Sequence, residues 1–430
     1  EPVNDALYYL VGALVMLLAI AVSIGLHEFG HMLPAKRFGV KVDRFMIGFG
    51  PTLFARQRGE TEYGIKLFPL GGYVRLLGMQ ATAEAVAADR PAKNALSRWY
   101  RAYVERYRSE SDLGLHEQHR AFYRLPAGKR LIVMFGGPFA NLVLGAIFAS
   151  IALFGIGVMT PTNGVGAVID CNMPADATSC TGIQPTVAKS NGVAVGDRLV
   201  AIGGVKVNTP DEIRARLKAV VGETVELDFA RGEGHLLITT PIENQQLYNP
   251  ETDSYETRPF LGLAFDYERM PATPAAYFEF MGGTIGGTFE MIGQLPQQAG
   301  HAFQAITGQG ERDSNGAVSV VGITKVAGDI AIDSEGDWSS TIAIWLLTLA
   351  SLNIALFAFN MIPVLPLDGG HIAAAIYGKL KQLWFKLTKR GTPRPVDLAL
   401  LAPLTMVGWV ALTIMGLLFV VADIVAPVSI

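Results

Sequence analysis

The residues most capable of chemistry form the run His27-Glu28-Phe29-Gly30-His31 near the start of the chain. On a helix, residues four apart lie one turn apart on one face, so both imidazoles can bind one metal ion. Glu28 can then act as general base on a water that the metal activates. The spacing predicts a hydrolytic zinc site, and exposed histidines on an ordinary helix are the plainer alternative.

A catalytic zinc site needs a third protein ligand and an open fourth position. Asp368 is the strongest candidate, because the third long apolar run ends in Leu367-Asp368-Gly369-Gly370-His371. His371 is a rival ligand, and a turn aspartate before two glycines is common without any metal. Two imidazoles, one carboxylate and an open position favour a single zinc ion.

Four segments without charged residues are long enough to cross a bilayer, which takes about 20 residues in a helix. They are residues 6–26, 131–160, 339–367 and 398–422. Half of all residues are hydrophobic, which is typical of a membrane protein with some soluble mass. The metal motif directly continues the first segment, where ionisable residues are costly and usually functional.

The lysine and arginine distribution predicts the orientation. Residues 36–130 carry 18 of these cations and residues 379–394 carry 6, whereas none precedes the first apolar segment. The positive-inside rule then places both regions in the cytoplasm and residues 161–338 outside. Because His27 lies roughly 32 Å along a helix from residue 6, the metal motif is expected near the cytoplasmic side.

The outer segment is predicted to begin with a small β-rich domain at 161–268. It includes a hairpin at 224–240 and a helix at 210–221. Residues 274–306 have the pattern of an amphipathic helix, interrupted by paired glycines and Pro296.

The first cytoplasmic segment is predicted to have two parts. Short apolar runs and many glycines in residues 36–80 favour strands or hairpins beside the membrane. Residues 81–128 carry mixed charge, which favours exposed helix.

Four motifs together resemble the site-2 protease family of intramembrane zinc metalloproteases. They are His27–His31; Pro69-Leu70-Gly71-Gly72-Tyr73-Val74, similar to the family's membrane-associated β-loop; Gly136-Gly137-Pro138-Phe139-Ala140-Asn141, similar to its second-span motif; and Asn360-Met361-Ile362-Pro363 with the run ending at His371. Their order along the chain is that of the family.

The resemblance implies roles for individual residues. His27, His31 and Asp368 would bind zinc, and Glu28 would be the catalytic base. Substrate-binding roles are implied for Asn360, Pro363, Gly71, Gly72, Tyr73 and Asn141. For Asn141 a structural role is the alternative.

Residues 191–207 resemble the core of a PDZ domain. A single such domain, together with residues 56–64, resembles the actinobacterial branch of the family. Cys171 and Cys180 lie in a segment that looks inserted beside the expected peptide groove, which argues against ordinary capture of a peptide C-terminus. An oxidising compartment outside the membrane favours a disulfide between them over two free thiols.

The expected fold is a polytopic α-helical membrane protein with four transmembrane helices, a membrane-associated β-loop and one extracytoplasmic PDZ domain. The predicted parts are transmembrane helix 1 with the metal motif (1–35), the cytoplasmic β-loop and charged helical segment (36–128), transmembrane helix 2 (129–160), the PDZ domain (161–268), the amphipathic helix and linker (269–338), transmembrane helix 3 (339–367), a cytoplasmic loop (368–397) and transmembrane helix 4 (398–426).

The resemblance also implies a function, regulated intramembrane proteolysis in a bacterial plasma membrane. The expected substrate is a single-span membrane protein, an anti-sigma factor cut first by a site-1 protease. Its helix must unwind before hydrolysis, and a strand edge within residues 65–77 could pair with the freed backbone. A net charge of −3 gives no indication of a nucleic-acid partner.

Other functions are compatible with the residues alone. One is a membrane-bound zinc protease that acts on substrates at the cytoplasmic face. Another is a metal-binding transporter or a PDZ receptor, although the repeated halves typical of transporters are not evident in the sequence.

Overall fold

The computed structural model describes residues 2–86, 94–109, 113, 115–173, 179–249, 254–310, 316–333 and 337–427. It divides into two compact units. One joins Glu1–Ile156 to Thr273–Ile430 and is called the membrane unit below. The other, Gly157–Ala272, is called the β domain.

The described elements follow one another along the chain. The first part contains α1 (Pro2–Arg37), β1 (Val42–Arg58), β2 (Thr61–Leu76), α2 (Ala83–Val86), α3 (Ala95–Ser109), two 3-10 turns (Leu115–Arg120 and Phe122–Arg124), α4 (Ala127–Ser150) and a π-helical turn (Ile151–Ile156). The β domain contains β3 (Val158–Val168), α5 (Val187–Ser190), β4 (Arg198–Ile202), β5 (Val205–Lys206), α6 (Pro210–Ala219), β6 (Thr224–Arg231), β7 (Gly234–Pro241), β8 (Asn244–Asn249), β9 (Ser254–Pro259) and β10 (Leu263–Met270). The last part contains α7 (Pro274–Ile306), α8 (Val320–Asp333), α9 (Trp338–Asn360), α10 (Asp368–Leu387), a 3-10 turn (Leu398–Leu401) and α11 (Ala402–Val425).

Four helical segments of the described chain are long and apolar enough to cross a membrane. They are Ala6–Arg37, Ala127–Ile156, Trp338–Asn360 and Leu398–Val425. A helix satisfies its own backbone groups, which a segment in lipid requires. The number of candidate membrane helices agrees with the four that were predicted. The first helix contains Pro34 and continues to Arg37.

The predicted interruption of the helix at 274–306 is wrong. One continuous helix, α7, runs through both glycine pairs and Pro296. It packs against α9 and α11, and tertiary packing overrides weak local propensity.

Two regions predicted as connections contain helices. The linker after residue 306 includes α8, whose preceding backbone amide at Ser319 donates to the Asp423 carboxylate at 2.6 Å. This partner lies in α11, far along the chain. The segment 368–397, predicted as a loop, begins with the 20-residue helix α10.

The strands β1 and β2 form a folded hairpin in which each strand bends. Phe45 is paired with Tyr63 on one side and with Val74 on the other, so the first half of β1 lies between two parts of β2. Residues 72–76 are therefore at an edge of this sheet. Within the described chain, β1 is the only strand that pairs with β2.

The β domain is built on a sheet of order β10-β3-β4-β6-β7, with β5 beside β4 and a separate β8-β9 hairpin. The predicted hairpin and helix are confirmed as β6-β7 and α6. Leu199, Ile202, Leu227 and Phe229 lie in its core. Cys171 and Cys180 are joined in a disulfide with their Cα atoms 5.8 Å apart.

Candidate metal centre

Three predicted ligands, distant in sequence, meet at one point of the membrane unit. Nε2 of His27 and Nε2 of His31 are 3.3 Å apart. Oδ2 of Asp368 is 3.4 Å from the first of these nitrogens and 3.2 Å from the second. The three atoms thus form a nearly equilateral triangle of electron-pair donors.

This triangle fits zinc. Ligand bonds of 2.0–2.1 Å in a tetrahedron place neighbouring donor atoms about 3.3 Å apart. Oδ2 of Asp368 is buried and has no hydrogen-bond partner among the described residues, so a cation would satisfy it. The fourth vertex remains for water or substrate.

The protonation of His31 is set by α4. Its Nδ1 lies 2.8 Å from the carbonyl oxygen of Val133, to which an N–H at this position donates. The proton is then on Nδ1, and Nε2 keeps its lone pair for a metal.

The ring of His27 is oriented by Asn141, which is fully buried on α4. The Asn141 amide nitrogen lies 3.0 Å from Nδ1 of His27, while its Oδ1 has no partner among the described residues. A His27 that binds metal through Nε2 carries its proton on Nδ1. If the side-chain amide of Asn141 is rotated by 180°, the Nδ1–H of His27 donates to Oδ1 of Asn141, and both atoms then have a hydrogen-bond partner.

Glycines allow α1 and α4 to cross closely beside the motif. A Cβ on Gly30 would collide with the carbonyl oxygen of Gly136, and a Cβ on Gly136 with that of Gly30. A Cβ on Gly137 would collide with the ring of His31. The second-span motif therefore provides the space in which the ligand ring lies.

Asp368 is positioned at the first residue of α10, after the turn that follows α9. A carboxylate at a helix N-terminus is favoured by the helix dipole. The two following glycines pack against that turn, because a Cβ on Gly369 would collide with the carbonyl oxygen of Ile362.

The ligands face a cavity of about 450 Å³. Glu28, the predicted base, lines the same cavity, as do Gly72 and Tyr73 at the edge of β2. A Cβ on Gly72 would lie 3.1 Å from Cγ of Glu28, so the strand edge passes directly over the carboxyl group.

The remaining predicted residues are distributed around this cavity. Asn360 lines it, and its amide nitrogen donates to the Leu356 carbonyl of its own helix at 3.0 Å. His371, the rival ligand, is also in the wall, outside the triangle of donors. Gly71, Pro363 and Asn141 are not among the lining residues.

Sequence reasoning missed part of the cavity wall. Met79, Met134, Trp409 and Leu412 all line it. None carries a motif, and α11 resembles any other apolar segment in the sequence.

A membrane protein with such a cavity has the features of a zinc hydrolase. The family model for peptidase family M50 matches residues 15–402. The chain therefore belongs to peptidase family M50, the site-2 protease family, and is a zinc metalloprotease.

Individual relatives agree with this assignment. The zinc metalloprotease Rip1 of Mycobacterium tuberculosis (strain ATCC 25618 / H37Rv) is 32% identical over 437 residues, which cover 98% of each chain. Rip1 of Mycolicibacterium smegmatis is 32% identical over 446 residues, again 98% of each chain. The zinc metalloprotease RasP of Shouchella clausii is 25% identical over 437 residues, covering 90% of this chain and 95% of the relative.

The predictions of the family, of a metalloprotease and of zinc as its metal are thereby confirmed. The mycobacterial relatives agree with the resemblance to actinobacterial members. The transporter and receptor alternatives are wrong for a chain of this family.

Proposed function

We propose that this chain is an intramembrane endopeptidase. It hydrolyses a peptide bond in or near the transmembrane segment of a single-span membrane protein that another protease has already trimmed. One observation carries the proposal: the His27, His31 and Asp368 donors, the Glu28 carboxyl group and a sheet edge all face one cavity. The candidate membrane helices around this cavity support its intramembrane location.

In this proposal, His27, His31 and Asp368 would hold zinc, which would act as a Lewis acid and lower the pKa of the attacking water. Glu28 takes the proton of the attacking water and delivers it to the amine that leaves. The water oxygen first forms a bond to the carbonyl carbon, and the peptide C–N bond breaks afterwards, when the leaving nitrogen takes the proton from Glu28. The Val133 carbonyl and Asn141 keep both imidazoles in the ligating orientation.

Substrate unwinding is assigned to the edge of β2. A helix hides its carbonyls in its own hydrogen bonds, and an unwound segment in lipid needs replacements. Residues 72–76 offer backbone groups for β-augmentation beside Glu28. Asn360 is assigned to hold a freed backbone group from the opposite wall.

The location and partners follow the charge distribution and the family resemblance. We assign the chain to a bacterial plasma membrane, with the metal site towards the cytoplasmic side and the β domain, as a PDZ domain, in the extracytoplasmic compartment. The proposed substrate class is the single-span anti-sigma factors.

The assignment of the base is tested by Glu28→Gln. This variant should keep its zinc and lose cleavage of a membrane substrate by about 100- to 10,000-fold, the usual contribution of general acid–base catalysis. Glu279→Gln, at an exposed position of α7, is the matched control and should retain full cleavage. Substantial cleavage by the Glu28 variant would contradict the proposed mechanism.

A further inference from the structure

The helix α10 carries an apolar stripe that no other described element covers. Its members recur at helical spacing and are 45–72% exposed: Ile376, Tyr377, Leu380, Leu383, Trp384 and Leu387. At about 100° per residue they occupy an arc of about 120°. The opposite face is buried in the first half of the helix, at Ala375 and Gly378.

Lysines flank this stripe on both sides. On the same helical wheel, Lys379 and Lys386 lie on one side of the stripe and Lys381 on the other. No acidic residue occurs between Gly369 and Val396, while Lys389, Arg390 and Arg394 add further positive charge. Lysines beside an apolar stripe can extend their ammonium groups to a polar surface while their stems stay in apolar surroundings.

The contacts of α10 indicate its depth relative to the membrane-spanning helices. Its first residue, Asp368, belongs to the candidate metal centre. A Cβ on Gly378 would lie 3.5 Å from an Nη of Arg130, close to the start of the α4 span. The stripe therefore lies largely beyond the start of that span, and the next candidate span begins at Leu398. Helix residues 379–387 are thus at the level where the spans end.

We propose that α10 lies on the membrane surface, with its apolar stripe in the upper acyl chains and its lysines on anionic lipid headgroups. A strong apolar stripe beside a cationic border is the pattern of an interfacial helix. Anionic headgroups attract basic segments at this depth. A symmetric contact with a second copy of the chain is disfavoured, since it would bring the same uncompensated lysines together.

Lipid contact can be tested with single fluorescent labels on the full chain. Both native cysteines are in the disulfide, so an introduced cysteine can be labelled alone. Leu383→Cys and Leu387→Cys place an environment-sensitive fluorophore on the stripe. Gln382→Cys is the control, because residue 382 points away from the stripe and is exposed one turn beyond the buried Gly378. Each protein is reconstituted in phosphatidylcholine vesicles with a minority of phosphatidylglycerol.

The stripe labels should be quenched by lipids brominated near the headgroup and protected from aqueous iodide, with the reverse result at residue 382. Quenching of the stripe labels by iodide would overturn the proposal. Protection of these labels from both quenchers would also overturn it, because a protein surface would then cover the stripe.

The headgroup preference has its own matched comparison. Brominated phosphatidylglycerol should quench the residue 387 label more than the same fraction of brominated phosphatidylcholine. The double variant Lys379→Gln/Lys386→Gln should remove this difference, and Lys206→Gln/Lys218→Gln in the β domain should leave it intact. Equal quenching by the two lipids in the protein with native lysines would overturn the anionic preference. None of these readouts depends on proteolysis, so they stand apart from the proposed catalytic function.

Discussion

At the scale of single residues, each histidine of the motif is oriented by a group from α4. The Val133 carbonyl fixes the ring of His31, and Asn141 contacts the ring of His27. Such partners set the tautomer and the direction of a ligand, and their loss typically weakens metal binding 10- to 100-fold. The metal motif therefore depends on the second membrane helix as much as on its own.

Asn141 provides a test of this dependence. Asn141→Leu removes the acceptor for the Nδ1–H of His27 and should lower zinc affinity by about 10- to 100-fold. Asn141→Asp keeps an acceptor oxygen and should retain zinc. Both affinities can be measured by competition with a chelator. Equal affinities for the two variants would show that the hydrogen bond has no part in metal binding.

Gly137 tests the space beside His31. Gly137→Ala places a methyl group where the ring of His31 lies, so the ring must move away from its proposed ligating position. We expect loss of most bound zinc, measured by metal analysis of the purified protein. Gly128→Ala in the first turn of the same helix, where a Cβ meets nothing within 4 Å, should bind zinc normally. Normal zinc content in the Gly137 variant would contradict the described crossing of α1 and α4.

The sequence predicts some of these residues and not others, for a physical reason. His27 and His31 are recognisable because helical spacing alone brings them together. Asp368 is predicted as a ligand because it ends an apolar run and matches a family motif. Trp409 and Met134 line the cavity only because helices that are distant in the sequence pack together. The local sequence around these residues does not predict such packing.

At the scale of elements, the folded β1-β2 hairpin predicts where an unwound substrate would bind. If substrate pairs with residues 72–76, a photo-crosslinker at Tyr73 in the Glu28→Gln background should capture an unwound substrate segment. The same crosslinker at Gln57, in the other arm of the sheet, should not. Capture at Gln57 alone would contradict the proposal, because the substrate would then bind the other arm of the sheet and not residues 72–76.

A second expectation concerns acid stability of the β domain. Asp197 accepts hydrogen bonds from Arg231 and from the Ala194 amide, and the Arg231 contact holds the pKa of Asp197 below its usual range. A carboxyl group with a lowered pKa in the folded state stabilises the fold above its unfolded pKa. This stabilisation is lost as pH falls through the folded pKa.

Arg231→Gln should therefore destabilise the β domain at neutral pH and weaken the further loss on acidification. The urea midpoint of hydrogen-exchange protection in β6 measures both effects. Arg214→Gln, which removes an exposed pair with Asp211, is the control and should change stability by less than about 0.5 kcal/mol. Identical acid profiles for the Arg231 variant and the native chain would contradict the role of the ion pair.

The membrane spans and the β6-β7 hairpin could be predicted because length, hydropathy and turn chemistry are local properties. The helix α8 could not, since its N-terminal amide is satisfied by Asp423 from α11. In α10 the apolar residues do recur at helical spacing. The surrounding lysines indicate a cytoplasmic connection between two spans, so the sequence predicts only a loop there. The continuous helix α7 shows that tertiary packing can outweigh the low helix propensity of glycine and proline.

At the scale of the whole molecule, the chain combines a membrane unit with a β domain of 116 residues, Gly157–Ala272. We propose that the β domain admits only substrates whose outer part another protease has already trimmed. Replacing residues 165–265 by a short flexible linker should then permit cleavage of a single-span reporter that still carries a folded outer domain. Cleavage would be followed by gel mobility of the reporter. Reduced cleavage of trimmed and untrimmed reporters alike would make the domain a recruiter.

We propose that His27, His31 and Asp368 hold the zinc of this metalloprotease. The most direct test is the zinc content of the purified native chain, of Asp368→Asn and of His371→Gln, measured under identical conditions. We expect one zinc per chain in the native protein and in the His371 variant, and little zinc in the Asp368 variant. A fully loaded Asp368 variant together with an empty His371 variant would contradict this ligand set and assign the third ligand to His371.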